Sequence, residues 1–319
     1  MAVAARTASG TLKFRALRPG GRIAVVAPAS AFDRAQFDAG LAELRRLGFD
    51  PVYEETVFDR ALFSAGAAET RAQALMRAFL KADVDAVMAV RGGYGSVEAL
   101  PLLDADRIRD SRRPFIGYSD VTSLHAYLGA VAGLASVYGP MLEGRFGKGP
   151  AHYDEAKFLR SVSDEPMGDV APEGLETLQP GEAVAPLAGG TLTQLLASFE
   201  TPYVFQPPRP HVLLLEDVGE RPYRIHRMLT QWRLAGRLEH ASAIVFGQFP
   251  QCDEPNSPLR AIDAIRDALS GFPGPVLFGF PAGHALTPLI SLPLGVRTRV
   301  VGGSGTGRIV LEEAAGYRD

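Results

Sequence analysis

Two spacings of apolar residues alternate through the first half of the chain. Short continuous apolar runs, "RIAVVAPAS" (22–30), "VDAVMAV" (84–90) and "PFIGYS" (114–119), stop at Gly, Pro or small polar residues. Runs of that length and ending predict buried strands of a parallel sheet. Between them the period changes. Phe37, Leu41, Leu44 and Leu47 share one face of a predicted helix over 35–49, and Gly48 closes it. "PVYEET" predicts a second strand, and "ETRAQALMRAFLKA" (69–82) a second helix. A helix through Val97, Leu100 and Leu103 and another over "VTSLHAYLGAVAG" follow, and "ASVYGP" (135–140) reads as a fifth strand. Five alternations of strand and helix predict a doubly wound, Rossmann-like parallel sheet.

The second half reads differently. Residues 163–186 are rich in Pro, Gly and acids and lack a period, which predicts a linker. Beyond it, "HVLLLED" (211–217), "ASAIVFGQF", "PVLFGFPAGH", "LISLPLGVRTRVVG" and "GRIVLEE" supply strands. Helices are expected through Ile225, Met228, Leu229 and Trp232, and over "PLRAIDAIRDALSG". The expectation is an α/β chain: a loose segment 1–16, a Rossmann-like domain 17–162, the linker 163–186, and a β-rich domain 187–319. The sheet of that last domain is expected to be mixed or barrel-like.

Composition narrows the function classes. With 319 residues, 46% hydrophobic and 22% charged, the chain is long enough for one large or two medium globular domains. A net charge of −3 without a basic stripe argues against a nucleic-acid partner. No apolar run reaches the length of a membrane span, and "MAVAARTASGTLKFRALRPGG" lacks the apolar core of a signal peptide. The single cysteine, Cys252, permits no intrachain disulfide. The expectation is a soluble, cytoplasmic protein. The six histidines show no metal-ligand spacing, so neither a metal nor another cofactor is expected.

Candidate chemistry collects at strand ends, where ligands of such sheets bind. In "GYSD" (117–120) Ser119 stands at a strand-to-helix turn. A helix N-cap is one reading, since a serine oxygen can accept an orphan backbone N–H. A nucleophile is the other, aimed above the sheet, with the Asp120 N–H ready for a developing oxyanion. "VRGGYGS" (90–96) lacks the residues of a phosphate loop. It reads either as a tight turn or as the source of a second oxyanion donor. His125 reads as core or surface, and His226 as a solvated helix residue. His284 closes "PVLFGFPAGH" beside small residues, which suits a cleft. Glu216, Asp217 and Glu220 follow a buried strand, and a carboxylate there is placed to orient an imidazole. The glycines of "VVGGSGTGR" (300–308) read as a hairpin turn.

Together, "RGGYGS", "GYSD", "GGTLTQLLASFETPY" (189–203), "LLLEDVGERPYRIHRML" (213–229) and "GFPAGH" (279–284) resemble the LD-carboxypeptidase family. These are serine peptidases that include the microcin C immunity hydrolases. The resemblance runs from about Arg22 to Leu311. It implies a Rossmann-like domain, a β-rich domain and a Ser-Glu-His triad between them. By motif, Ser119 is the nucleophile, Glu216 the orienting acid and His284 the general base. Backbone donors are implied at Asp120 and at Gly92 or Gly93, and Arg91 and Tyr94 are candidate substrate contacts. The resemblance further implies a homodimer, no metal, and a murein peptide substrate from which terminal D-Ala is released. Cleavage of a peptidyl-nucleotide carboxamide is the alternative within the family, and a non-catalytic binding protein the alternative outside it. One departure stands out: Thr191 follows "GG" where the family often has Asn.

Overall fold

The structure, a computed structural model, describes residues 6–7, 10–303 and 307–318. Two sheets organise it. The first runs, in spatial order, Leu292–Leu294, Ser136–Tyr138, Phe115–Gly117, Ala86–Ala89, Arg22–Val26 and Asp50–Val52. Its five N-terminal strands are all parallel, and only Leu292–Leu294 pairs antiparallel, on Ser136–Tyr138. The expected alternation is therefore present. Helices Arg34–Arg46 and Ala68–Leu80 connect the first three strands, and their apolar stripes lie buried, with Phe37, Leu41, Leu44, Leu75 and Phe79 inside. Gly48 adopts φ +84°, the left-handed geometry that ends a helix.

The helix expected through Val97, Leu100 and Leu103 is broken. One turn covers Ser96–Ala99, a tighter turn follows at Leu100–Leu102, and a separate helix spans Ala105–Ser111. Pro101 cannot continue a regular helix, because its ring removes the N–H donor. Val97 is consequently exposed.

The second sheet has eight strands in the order Gly168–Val170, Gly307–Leu311, Arg297–Gly302, Gly181–Thr191, His211–Glu216, Ala241–Gly247, Val276–Phe280 and Glu176–Gln179. It is mixed. Gly181–Thr191 pairs antiparallel with Arg297–Gly302 and parallel with His211–Glu216. The expected hairpin is seen in Arg297–Gly302 and Gly307–Leu311, which pair antiparallel; residues 304–306 lie outside the described residues. The stretch expected as a linker, 163–186, carries two strands of this sheet and the start of a third. Within 1–16, Phe14–Arg15 pairs parallel with Gly316–Tyr317, and Leu12 and Phe14 are buried.

Alternation along the central strands sorts the two faces. Leu213, Leu215, Ile244 and Phe246 pack under the helices Pro222–Leu234 and Ala261–Ala268, with Trp232 and Ile265. Val212, Leu214, Ala243 and Val245 face the other way and join the large core shared with the first sheet. The even-numbered positions of the His211–Glu216 strand thus point toward the first sheet. That parity decides where the residues at its end go.

Candidate active site

The first strand end comes from the parallel sheet. Tyr118 is fully extended (φ −154°, ψ −174°) and Ser119 then sits at φ +68°, before a tight turn at Ser119–Val121 and the helix Thr122–Tyr127. A side chain at positive φ costs about 1–2 kcal/mol, and such strain is found where surrounding structure holds a functional side chain. Gly117 is required for this bend, since a Cβ there would lie 2.7 Å from Val121 Cγ2. The Ser119 hydroxyl makes no capping hydrogen bond to the helix that follows. Below the bend, buried His125 spans from Ser136 Oγ (Nδ1, 2.8 Å) to the Gly117 carbonyl (Nε2, 2.9 Å). A carbonyl only accepts, so Nε2 carries the hydrogen. Burial pushes the His125 pKa down to about 4. It is a neutral core strut beneath the bend.

The glycine loop meets this bend directly. A Cβ on Gly92 would lie 2.8 Å from Ser119 Cβ and 3.1 Å from Asp120 N. Only a glycine permits that approach. Gly93 adopts φ +96°, and among the described residues neither Gly92 nor Gly93 donates its N–H to a backbone carbonyl. The loop is fastened from below. The Asp120 carboxylate accepts from Ser96 N (2.9 Å), and the Ser96 hydroxyl donates to the Asp120 carbonyl (2.8 Å). Arg71, buried, donates to the carbonyls of Pro28, Gly66 and Gly95 and pairs with Glu98.

The second strand end comes from the mixed sheet. Glu216 is 1% exposed and receives four hydrogen bonds. Tyr138 Oη (2.6 Å) and Thr191 Oγ1 (2.5 Å) donate to Oε1, while the His284 backbone N–H (2.9 Å) and Nδ1 (2.8 Å) meet Oε2. Burial works against the carboxylate's charge, but the His284 charge and these donors override it, and the Glu216 pKa is lowered. Burial likewise disfavours a charged His284, yet the Glu216 carboxylate wins and its pKa is raised. With Nδ1 holding its hydrogen toward Glu216, the ring's Nε2 is left as the free lone pair. Gly283 allows this contact, because its own Cβ would come 2.4 Å from Glu216 Cδ.

Asp217 points to the opposite face, as parity requires. It accepts from Thr193 N (2.9 Å) and Val218 N (2.9 Å), and burial with the Glu216 charge raises its pKa to about 6. Glu220 pairs with Arg224 (3.6 Å). Neither hydrogen-bonds His284.

The His284 ring packs edge-on against Tyr118, centroids 5.2 Å apart, so His284 lies beside the residue that precedes Ser119. No hydrogen bond joins Ser119 to the ring among the described residues. Ser119, Gly92, Asp120, Glu216 and His284 are thus neighbours at the C-terminal ends of strands from both sheets, with Tyr138 Oη bridging from Ser119 N (3.5 Å) to Glu216. Arg91 and Tyr94 flank Gly92 and Gly93 in the glycine loop. Arg91 donates to the Ala31 carbonyl and faces Glu143 at 3.5 Å, and Tyr94 packs edge-on against exposed Phe63. Sequence reasoning did not single out Tyr138 or Arg145, and it marked Thr191 only as a departure from the family pattern. Tyr138 ends a strand otherwise made of core residues, and its partner Glu216 lies 78 positions away. No local pattern marks such a pairing.

The chain is similar to known proteins. Residues 23–139 match the LD-carboxypeptidase N-terminal domain, and residues 184–300 match the LD-carboxypeptidase C-terminal domain. The chain belongs to the LD-carboxypeptidase family. The murein tetrapeptide carboxypeptidase of Pseudomonas aeruginosa is 30% identical, over 83% of this chain and 88% of its own. The microcin C7 self-immunity protein of Escherichia coli is 27% identical, over 86% and 88%. The crystal structure of muramoyltetrapeptide carboxypeptidase from Oxalobacter formigenes superposes with a TM-score of 0.81 at 26% identity, covering 92% of this chain and 99% of that one. Membership makes the chain a serine carboxypeptidase. No helix among the described residues is long and apolar enough to cross a membrane, and no group of three or more metal-ligating side chains is found there.

Proposed function

We infer that the cleft hydrolyses the L,D bond that releases terminal D-Ala from a murein tetrapeptide. The observation that carries this reading is the pairing of buried Glu216 with both the backbone N–H and Nδ1 of His284. It sets the ring's tautomer and leaves a basic nitrogen beside the strained Ser119 turn. His284 Nε2 takes the hydroxyl proton as Ser119 Oγ attacks the carbonyl of the diamino acid's L-centre. The oxyanion is received by the N–H groups of Asp120 and of Gly92 or Gly93, each worth about 3 kcal/mol by analogy with measured donors. The imidazolium then protonates the departing amine, the C–N bond breaks, and D-Ala leaves. Water, activated by the same nitrogen, hydrolyses the acyl-enzyme. Contacts of this kind are long in unliganded sites and tighten around substrate, which accounts for the open Ser119–His284 pair.

No metal takes part in this scheme. The reading includes a homodimer working in the cytoplasm, with Arg91 and Tyr94 at the substrate rim. A binding protein without chemistry would have no use for a saturated carboxylate–imidazole pair beside a strained serine. The exposed Phe63–Tyr94 edge, which could face a flat ring, favours the peptidyl-nucleotide alternative. Incubation of the purified protein with a murein tetrapeptide and, separately, with an aminoacyl sulfamoyl nucleoside decides between them by mass spectrometry. Release of D-Ala from the first is expected. Cleavage of only the second, or of neither, overturns the reading.

A further inference from the structure

A carboxypeptidase must tell a chain end from a chain middle, and that demands a positive charge near the departing residue. Among the described residues two arginines are buried, Arg71 and Arg145. Arg71 has the Glu98 carboxylate as its partner. Arg145 has no ion pair: its Nη1 donates to the His152 carbonyl (3.2 Å), and its Nη2 to the carbonyls of Gly283 (2.8 Å) and Ala285 (2.9 Å). A guanidinium has five N–H donors, so two remain beyond these carbonyls, and the only further side chain they meet among the described residues is the neutral Tyr118 hydroxyl. A buried cation with only neutral partners is costly unless an anion completes its surroundings.

Its placement says which anion. Gly283 and Ala285 flank His284, so Arg145 grips the base's own loop from both sides. Its guanidinium carbon lies 5.8 Å from the centre of the Tyr118 ring, the same ring that packs against His284. The departing amine receives its proton from His284. The carboxylate of a terminal residue is attached one carbon beyond that amine, about 2.5 Å away by ordinary bond lengths. The substrate's only obligatory negative charge therefore arrives on the His284 side of the cleft. The other cation near the site, Arg91, is half-exposed and already faces the Glu143 carboxylate at 3.5 Å.

We propose that Arg145 is the specificity-determining residue that reads the free carboxylate of the departing amino acid. This rests on the carboxypeptidase reading above. The test compares a tetrapeptide ending in D-Ala with the same peptide ending in D-alaninamide. Removing one member of a buried charge pair costs 2–5 kcal/mol, so the wild type should prefer the acid by roughly 30-fold to several thousand-fold in kcat/KM. In Arg145→Gln the preference collapses toward unity, chiefly through KM, and Arg145→Lys retains part of it. Because Arg145 also holds the His284 loop, a variant can lose activity for a different reason. A parallel fall on acid and amide, with the ratio kept, shows a purely positioning role and overturns the proposal. Calorimetry on Ser119→Ala protein supplies a second readout, binding of D-Ala against D-alaninamide. Selective binding of the acid that disappears on adding Arg145→Gln supports the proposal, and binding unaffected by that change overturns it. Failure of the wild type to release D-Ala from either peptide is the separate failure of the parent reading.

Discussion

The two strand ends that meet in the cleft solve opposite problems. At Gly117–Ser119 the chain spends backbone strain to lift one hydroxyl clear of its own helix, and the neighbouring glycine loop leaves N–H groups unspent around it. At Glu216 the reverse holds. A full charge is taken out of water, and four donors from three separate segments saturate it. On the proposed assignment, the Ser119 hydroxyl is left without side-chain partners among the described residues, whereas Glu216 is supplied with all of its own. A substitution at the first end should therefore act on catalysis with small structural cost, whereas one at the second should touch both.

The strongest way to break this contrast is at Ser119. Ser119→Ala should lower kcat by a factor approaching 10⁶, since members of a triad act as a unit. Its thermal midpoint should stay near that of the wild type, because the hydroxyl caps nothing. Ser119→Gly should be equally inactive yet more stable than the alanine variant, by about 1 kcal/mol, as the positive φ is relieved. A fully active alanine variant, or a glycine variant that melts earlier, would contradict the assignment.

Next in size is the acid. Glu216→Gln should cut kcat by roughly 10⁴ through loss of the correct tautomer. It should also destabilise the fold, because a carboxamide N–H₂ would face donors. Asp217→Asn, one residue along, should change kcat by less than about tenfold. Equal losses in the two variants would mean that strand parity does not govern the site.

Gly92→Ala comes third. Its Cβ would intrude to 2.9 Å from Ser119 Oγ, and a displaced oxyanion donor costs about 10²–10³ in kcat. Unaltered turnover would remove Gly92 from the site.

The smallest effects are those of pH. Catalysis needs neutral His284, whose pKa is raised by Glu216, so the acid limb of kcat/KM should lie above 6.5. In Glu216→Gln the limb should move to lower pH, because the carboxylate that raises the His284 pKa against burial is gone. Stability should show two opposed trends. Glu216, with its pKa lowered, contributes stability above about 4.5 that fades as pH falls through its folded value. Asp217, raised to about 6, holds its proton more tightly when folded, so it withdraws stability as pH rises from about 4 to 6. Melting curves of Asp217→Asn between pH 4 and 7 should lack that second trend.

What the sequence made legible follows the range over which its signals act. The parallel alternation could be read because each apolar run and its helix are contiguous. The bend at Ser119 could be read because Gly117 and the following amphipathic run lie within a few residues. Strand alternation also separates Glu216 from Asp217, once the acid's face is known. Three kinds of feature escaped. Residues 163–186 are polar and irregular, yet form sheet-edge strands, whose open flank needs no apolar period. Pro101 sits within what looks like one helical stripe and splits it. Tyr138, Thr191 and Arg145 act across 25 to 140 positions of chain, and a single sequence holds no record of such contacts.

One strand gives the molecule a schedule. His284 lies between Val276–Phe280 of the mixed sheet and Leu292–Leu294, which crosses over to edge the parallel sheet. The base is therefore suspended between two sheets and takes its place only when both exist. On the ribosome Ser119 emerges more than 160 residues before His284, and Phe14–Arg15 must wait for Gly316–Tyr317 to complete its pairing. A nascent or truncated chain that has folded only its parallel strands carries the proposed nucleophile without the proposed base. On the proposed triad, hydrolysis can begin only once the strands that flank His284 have formed.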